Sequence, residues 1–472
     1  MARPLKSKAP SACEDILMTG DHLAFQHVID KAGYDYPKAR EETKFLYQVT
    51  GNSIVTVGAH AHQRQRKIMN PAFSERQMQR FVPLFQSIAT RLTRGIMSQL
   101  EVDPQKEIEI RGWLGRASLE SIGYSVFGYE FNALEDENCE MAHALHHLLD
   151  GAAKTSAALR TMIWAYVNVP YFDAAMGLLS KIVPNPAAES AAHYKRITRE
   201  VGSKVLLSEG AVSNAEGFEK DIMSILIKAN SSTDKEKAMD DDEVLSQGSS
   251  FIAGGTDSTS AQLAWALFEL AKLPDVQQAL REEIAAARNR LPDGDISQMD
   301  YDALPWLNAV LKEVLRYHPT TVFLNREAAK DDVIPLAEPI MATTGEMIDR
   351  VPVRKGQLIS FAVHISGRLS SVYGEDAHVF RPSRWFEKMN DKVSLGHYSN
   401  LAAFSGGVRG CIGWRWGIIE MQVTLAELIE NFRFELPANW RDIKRSPCIT
   451  LPPMIRGKEA AGSQLPLKVI PL

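Results

Sequence analysis

Cysteine is scarce in this chain: four among 472 residues, at Cys13, Cys139, Cys411 and Cys448. Their scattered spacing matches neither a disulfide framework nor a zinc-binding pair, and it favours a reducing compartment. Long apolar runs are missing too. No stretch of about 20 predominantly apolar residues occurs, so nothing in the sequence reads as a membrane-spanning segment. Residues 1–10 carry Arg3, Lys6 and Lys8 with no apolar core behind them, which is not a signal-peptide pattern. Strong charge of one sign is also lacking. The net charge is −5, which gives no reason to expect a nucleic acid partner, and the 45% hydrophobic content is ordinary for a globular enzyme with a large core. No clean linker divides the chain. The longest polar stretches, 208–216 and 230–243, run directly into helix-like sequence, so residues 1–472 are read as a single domain.

What is present is helical periodicity with a little sheet. Helices are predicted over 74–100, 113–127, 138–154 and 241–272. The first has Gln77 three residues after Ser74 in a capping-box spacing, with Pro83 as a kink. The last opens on Asp240, Asp241, Asp242 and Glu243, which suits the positive end of a helix dipole and reads as a solvated helix start. Its middle, Phe251-Ile-Ala-Gly254-Gly255-Thr256-Asp257-Ser258-Thr259, places two glycines inside a buried helix at a cost of about 1 kcal/mol each. Bare Cα atoms let a flat cofactor or dioxygen approach the backbone, and a distorted turn there would free a carbonyl. An acid beside an alcohol can relay protons from solvent. Taken alone, the same run also reads as a glycine-rich loop.

Near the C-terminus, Phe404-Ser-Gly-Gly-Val-Arg-Gly-Cys411-Ile-Gly413 frames one cysteine with glycines that permit a tight turn. Free backbone N–H groups there can face the sulfur. Arg409 offers a charge-assisted donor, and Phe404 an aromatic wall. Upstream, Leu311-Lys-Glu313-Val-Leu-Arg316-Tyr-His-Pro319 sits on a helix running from about residue 302. Glu313 and Arg316 share one face of it, which by itself is an ordinary surface pair. Phe380-Arg-Pro382-Ser-Arg384-Trp385 follows.

The frame Phe-x-x-Gly-x-Arg-x-Cys-x-Gly resembles the cysteine-ligand loop of the cytochromes P450. The Gly-Gly-x-Asp-Ser-Thr run resembles that family's oxygen-activation signature, and the Glu-x-x-Arg helix with Arg384 its buried triad. Together these motifs cover nearly the whole chain and are most similar to fungal enzymes of the microsomal, reductase-dependent type. The resemblance implies a mainly α fold with minor β, in which a long central helix crosses over the haem. It implies haem b with Cys411 as axial thiolate and metal ligand, and Phe404, Gly413 and Gly255 close to the cofactor. His62, Arg66, Arg326 and Arg409 are implied as partners of the haem carboxylates, with His62 standing where many members have tryptophan. Asp257 and Ser258 become the catalytic proton-delivery pair. Ser258 replaces the usual threonine, keeping the hydroxyl but losing the methyl that restrains its rotamer. Phe251, Thr256, Thr321, Val322 and Phe323 are implied to line the substrate pocket, and residues 164–172 to form an apolar lid touching a membrane surface. Glu313, Arg316 and Arg384 take a structural role.

The implied activity is a haem-thiolate monooxygenase fed by NADPH through a reductase. It would insert one oxygen atom of O2 into a small hydrophobic substrate, in fungal secondary metabolism or xenobiotic oxidation, at the cytoplasmic face of the endoplasmic reticulum. A P450-fold isomerase, dehydratase or peroxide user, and an inactive haem binder, stand beside it as alternatives. Arg64 and Lys67 read as a solvated basic face or as a dock for an acidic electron donor. His143, His146 and His147 have helical spacing that suits zinc, but no further ligand motif completes a site. Residues 451–472 resemble a terminal β-hairpin. Measured against the family, the chain is expected to lack an anchor, a first helix and a first strand, leaving a strand near Ile16 as a bare edge and the protein poorly soluble.

Overall fold

The computed structural model describes residues 6–8, 15–103, 106–153, 186–212, 221–231, 233–234, 237–291, 294, 296–388, 395–446 and 450–472. It is mainly helical, with 59% helix and 14% strand. In chain order it contains β1 (Lys6–Lys8), β2 (Asp15–Thr19), α1 (Arg40–Thr50), α2 (Ala59–Met69), α3 (Val82–Val102), β3 (Glu107–Glu109), α4 (Ile110–Phe127), α5 (Glu140–Ala153) and α6 (Pro186–Val212). Then come the long α7 (Asp241–Lys272), α8 (Pro274–Arg290) and α9 (Pro305–Tyr317). Strands β4 (Phe323–Glu327), β5 (Asp332–Met341), β6 (Met347–Val353) and β7 (Leu358–Ala362) precede the loop around Cys411. The chain closes with α10 (Trp414–Asn431), β8 (Phe432–Glu435), β9 (Ile443–Arg445), β10 (Pro453–Ile455) and β11 (Pro466–Pro471).

One buried apolar cluster runs from Ala24 to Val469. Its axis is α7, whose 32 residues span about 48 Å and pack most extensively on α4. Within that core Trp265 stacks on His318 at 4.2 Å between ring centroids, and His318 Nε2 lies 2.8 Å from Glu269 Oε1. The main sheet has the order β1-β2-β7-β4. Leu17 pairs with Ile359 in parallel register, and Arg326 faces Ile359 in the antiparallel β4–β7 pair.

Five local expectations are revised by the structure. The strand near Ile16 is not a bare edge, because Lys6–Lys8 pairs with it antiparallel. The helix expected over 74–100 is two: Glu75–Gln79 and then α3, whose first turn holds Pro83. A missing N–H is harmless there, and Ser74 makes no side-chain cap. The helix expected from residue 302 begins instead at Pro305, after a separate turn Gln298–Asp302. The acidic start of α7 is only partly solvated: Asp240 and Glu243 form a reciprocal capping box, and the buried Glu243 accepts from Arg64 and Gln65. Arg64 is therefore an ion-paired residue and not a solvated one. Residues 451–472 do not close on themselves, since β10 pairs with β9 while β11 joins β3 and β8. The apolar stretch 164–172 lies outside the described residues.

A buried charge cluster ties α9 to the chain that follows β7. Glu313 accepts from Arg316 Nε at 2.8 Å and Nη2 at 2.7 Å, from Arg384 Nε at 3.0 Å and from Trp385 Nε1 at 3.0 Å. All three charged side chains are buried, so this is not the surface pair that Glu-x-x-Arg spacing would suggest by itself. The remaining guanidinium donors reach the carbonyls of Ala377, Tyr373 and Val379. Removing the carboxylate takes from buried Arg316 its carboxylate partner and leaves Arg384 with Asp376. Glu313→Ala should therefore lose about 3–5 kcal/mol of stability, read by urea unfolding and soluble yield, with Glu313→Gln milder. An unchanged unfolding midpoint in Glu313→Ala would remove the cluster from the core's support.

Candidate active site

Helix periodicity divides α7 between two cavities. Phe251, Gly254, Gly255, Ser258, Thr259 and Gln262 recur three or four residues apart and line a cavity of about 370 Å³. Thr256, Asp257 and Ser260 face a second cavity of about 510 Å³. The helix is unbroken from Asp241 to Lys272, so the distorted turn expected at the glycines is absent. Instead the Ser258 hydroxyl donates back to the Gly254 carbonyl at 2.6 Å.

The glycines serve different neighbours. A Cβ on Gly254 would meet nothing within 4 Å, so that position opens onto the cavity. A Cβ on Gly255 would run into the Ile122 side chain of α4. Gly255 is thus chiefly a helix-packing glycine, although it also borders the cavity.

The cysteine loop forms another wall. Cys411 N–H donates to the Phe404 carbonyl at 2.9 Å, and Arg66 Nη1 donates to the Gly410 carbonyl at 2.6 Å. Phe404, Cys411 and Gly413 all border the cavity, and the Cys411 thiol is open to it. Burial pushes that thiol upward in pKa, opposed by the Gly413 N–H and by Arg66. The loop after α9 is pinned above by Gln262, whose Nε2 donates to the His318 carbonyl at 2.6 Å. Thr321 and Phe323 thereby reach the cavity, while Val322 is not among its lining residues.

At one end the lining is strongly basic. Lys38, Arg66, Arg326 and Arg409 supply four cations against one carboxylate, Glu42. Burial lowers the affinity of Arg66 and Arg409 for their protons and brings Arg326 down to about 10. His62, held by the Tyr34 hydroxyl at 3.0 Å from Nδ1, is pushed down to about 3 by burial and by Arg409, Arg66 and Lys38. It is therefore neutral, a hydrogen-bonding ring and not a cation. Arg409 Nε is buried with no hydrogen-bond partner among the described residues. An orphaned guanidinium N–H, an excess of cations, a thiol and a helix face lacking side chains together fit a flat, dianionic, iron-bearing cofactor such as haem. Lys38 belongs to no motif. The sequence-level sign of it was only a basic residue before a helix.

The expected acid–alcohol pair is split. Ser258 faces the cavity, but Asp257 turns away. Its carboxylate is 3% exposed and accepts from Arg111 of α4 and from the Thr450 hydroxyl. Thr256, read as pocket-lining, shares that far side and does not border the first cavity. One residue of advance on a helix turns a side chain by about 100°, which is enough to separate neighbours in sequence. Glu420 of α10 is a further buried acid that no motif flagged. Its pKa is pushed up to about 8 by burial, against the hydroxyls of Ser118, Ser121 and Thr259. His143 and His146 border the second cavity, and among the described residues no group of three metal-ligating side chains forms.

A family description for cytochrome P450 matches residues 14–454 of the chain. Cytochrome P450 monooxygenase 91 of Postia placenta is 34% identical over 441 residues, covering 89% of this chain and 79% of that protein. A ganoderic acid synthetase of Ganoderma lucidum is 31% identical over 485 residues, 96% of this chain and 85% of that protein. Cytochrome P450 monooxygenase claQ of Ampulloclitocybe clavipes is 30% identical, with 96% and 83% covered. The chain belongs to the cytochrome P450 family and is a P450 monooxygenase. Membership brings haem-thiolate chemistry, dioxygen and a redox partner with it. Among the described residues, no helix is long and apolar enough to cross a membrane.

The two glycines should respond oppositely to a methyl group. Gly254→Ala should hold or raise the unfolding midpoint, through a gain of about 1 kcal/mol in helix propensity. Gly255→Ala should lose about 1–3 kcal/mol by overpacking against Ile122, partly recovered in the double variant with Ile122→Val. Equal midpoints for the two single variants would contradict the division of labour.

Proposed function

We propose that this monooxygenase inserts one oxygen atom into a small hydrophobic organic compound, using electrons from NADPH delivered by a reductase, with Cys411 as the thiolate ligand of haem iron. The reading is carried by one observation: Cys411, the bare Gly254 position and the Ser258 hydroxyl border the same cavity. When bound, the haem supplies dioxygen activation, one oxygen atom going to the substrate and the other to water. Arg66, Arg326 and Arg409 hold its carboxylates, and His62 offers a neutral ring N–H beside them. Phe251, Thr321 and Phe323 shape the apolar space in which the substrate is oriented.

Proton handling at the cavity falls to Ser258, whose hydroxyl both donates and accepts. Its bond to the Gly254 carbonyl is local, and rotation about one side-chain bond turns the hydroxyl toward the cavity. Asp257 acts behind Ser258, drawing protons from the second, more polar cavity on the far side of α7, and not by touching substrate. The likeness to fungal enzymes of the microsomal type supports a role in secondary metabolism or oxidation of foreign compounds, at the cytoplasmic face of the endoplasmic reticulum.

Purified protein reduced under carbon monoxide should show the red-shifted Soret band of a thiolate-ligated haem, and Cys411→Ser should abolish it. A normal band in Cys411→Ser would refute the ligand assignment. Turnover should require NADPH, reductase and O2, whereas full activity with peroxide alone would favour a peroxide-using enzyme. Ser258→Ala should keep the spectrum and substrate affinity while product formation falls by up to about 10²-fold, with reducing equivalents diverted to peroxide. An unchanged ratio of product to NADPH consumed would remove Ser258 from the proton path.

A further inference from the structure

One turn beyond Ser258 on α7, Gln262 borders the cavity that Cys411 borders, and it is only 2% exposed. Its Nε2 donates to the His318 carbonyl at 2.6 Å. The opposite amide orientation would set two oxygens against each other, so that carbonyl decides which way the amide faces. His318 is itself fixed, its ring stacked on Trp265 and bonded to Glu269. Gln262 Oε1 is left buried with no hydrogen-bond partner among the described residues. A buried acceptor without a donor costs free energy, and beside a binding cavity a ligand that supplies the donor recovers it.

The surroundings narrow the kind of donor. Thr320 and Thr321 follow the His318 carbonyl by two and three residues and border the same cavity. Every charged side chain that borders it belongs to the basic end: Lys38, Glu42, Arg66, Arg326 and Arg409. Away from that end the lining offers hydroxyls, one amide and apolar groups, which suit a neutral ligand.

We propose that Gln262 selects a hydrophobic substrate that already carries a hydroxyl group, accepting a hydrogen bond from it at Oε1, with Thr320 supplying a donor to the same oxygen. The inference rests on the monooxygenase reading and narrows its substrate from hydrophobic compounds in general to hydrophobic alcohols. A hydroxyl donates and accepts at one uncharged atom. A ketone oxygen only accepts and would leave Oε1 unpaired, and a carboxylate would set negative charge against it. Gln262 lies four residues past Ser258, about 6 Å along the helix axis. Anchoring the substrate there fixes which of its carbons is presented for oxidation.

The test uses the full-length, haem-loaded protein with matched alcohols, ketones and hydrocarbons: 2-dodecanol, 2-dodecanone and dodecane, then 2-decalol, 2-decalone and decalin. Calorimetry gives the affinities, and the Soret band shows whether an alcohol meets the iron. Each alcohol should bind about 3- to 10-fold more tightly than its ketone, the effect of one neutral hydrogen bond. Gln262→Met keeps bulk without the amide, so the alcohol-to-ketone ratio should fall to about one while dodecane and decalin bind as before. The same variant should spread the oxidation of 2-decalol over more positions. If Gln262→Met does not accumulate as folded protein, the ratio in the unmodified protein decides alone. Alcohols that bind no more tightly than their ketones, or that fail to bind, would overturn the proposal. So would an alcohol preference that persists in Gln262→Met or that comes with iron ligation. The reduced carbon monoxide spectrum and the NADPH-dependent oxidation of decalin, taken on the same samples, report on the monooxygenase reading. Failure at Gln262 and failure of that reading are thereby distinguishable.

Discussion

A single carboxylate with five donors organises one side of this molecule. Besides the two guanidinium groups and the Trp385 indole, Glu313 accepts the Arg381 backbone N–H at 2.7 Å. The arginines it binds then satisfy carbonyls from Tyr373 to Val379. The segment between β7 and the cysteine loop contains little regular structure, so it lacks a ladder to satisfy its own carbonyls. The guanidinium forks do that instead, and they stay charged and buried because Glu313 is among them, with Asp376 as a second carboxylate for Arg384. The cluster binds irregular chain to α9. The cysteine loop follows that irregular chain, and the pocket-lining residues Thr321 and Phe323 follow α9.

The second organising constraint is the period of α7. A buried helix has no solvent face, so each of its sides must meet something. Here one side meets the cavity bordered by Cys411, and another meets the chamber bordered by Arg111 and Thr450. The helix therefore separates the cavity bordered by Cys411 from a more polar one. Only residues that differ by one position and about 100° connect them. Asp257 and Ser258 are such a pair. Neighbours in the chain, they face different spaces, with the Asp257 carboxylate held by Arg111 and the Thr450 hydroxyl.

Much of this was legible in the sequence, for definite reasons. The limits of α7 follow from its apolar period, its acidic N-terminus and Pro274, all of which act within a few residues. The grouping of Glu313, Arg316 and Arg384 followed from the resemblance of their motifs to those of the P450 family. Other features depend on contacts that no local pattern encodes. Arg111 meets Asp257 across 146 positions, and Lys38 meets Arg326 through a single bridge between an irregular segment and a strand. The hairpin expected at the C-terminus failed in the same way. Both strands exist, but each finds its partner in a different sheet. Gly255 was read as a cofactor glycine because cofactor approach and helix packing both call for a bare Cα, and the sequence cannot tell which neighbour arrives.

The basic end of the cavity joins stability to cofactor binding. Four cations packed near one carboxylate repel each other where the local dielectric is low; burial is the main cause of the lowered proton affinities of Lys38, Arg326 and His62, and neighbouring cations add to it. The two carboxylates of haem and a thiolate from Cys411 would bring the local charge close to neutral. Anything that binds only the folded state stabilises it by mass action, and here the stabilisation includes relief of like-charge repulsion. The fold and its cofactor are then energetically inseparable at this end. The charge excess that selects a dianionic porphyrin is the same charge excess that destabilises the protein before the porphyrin arrives.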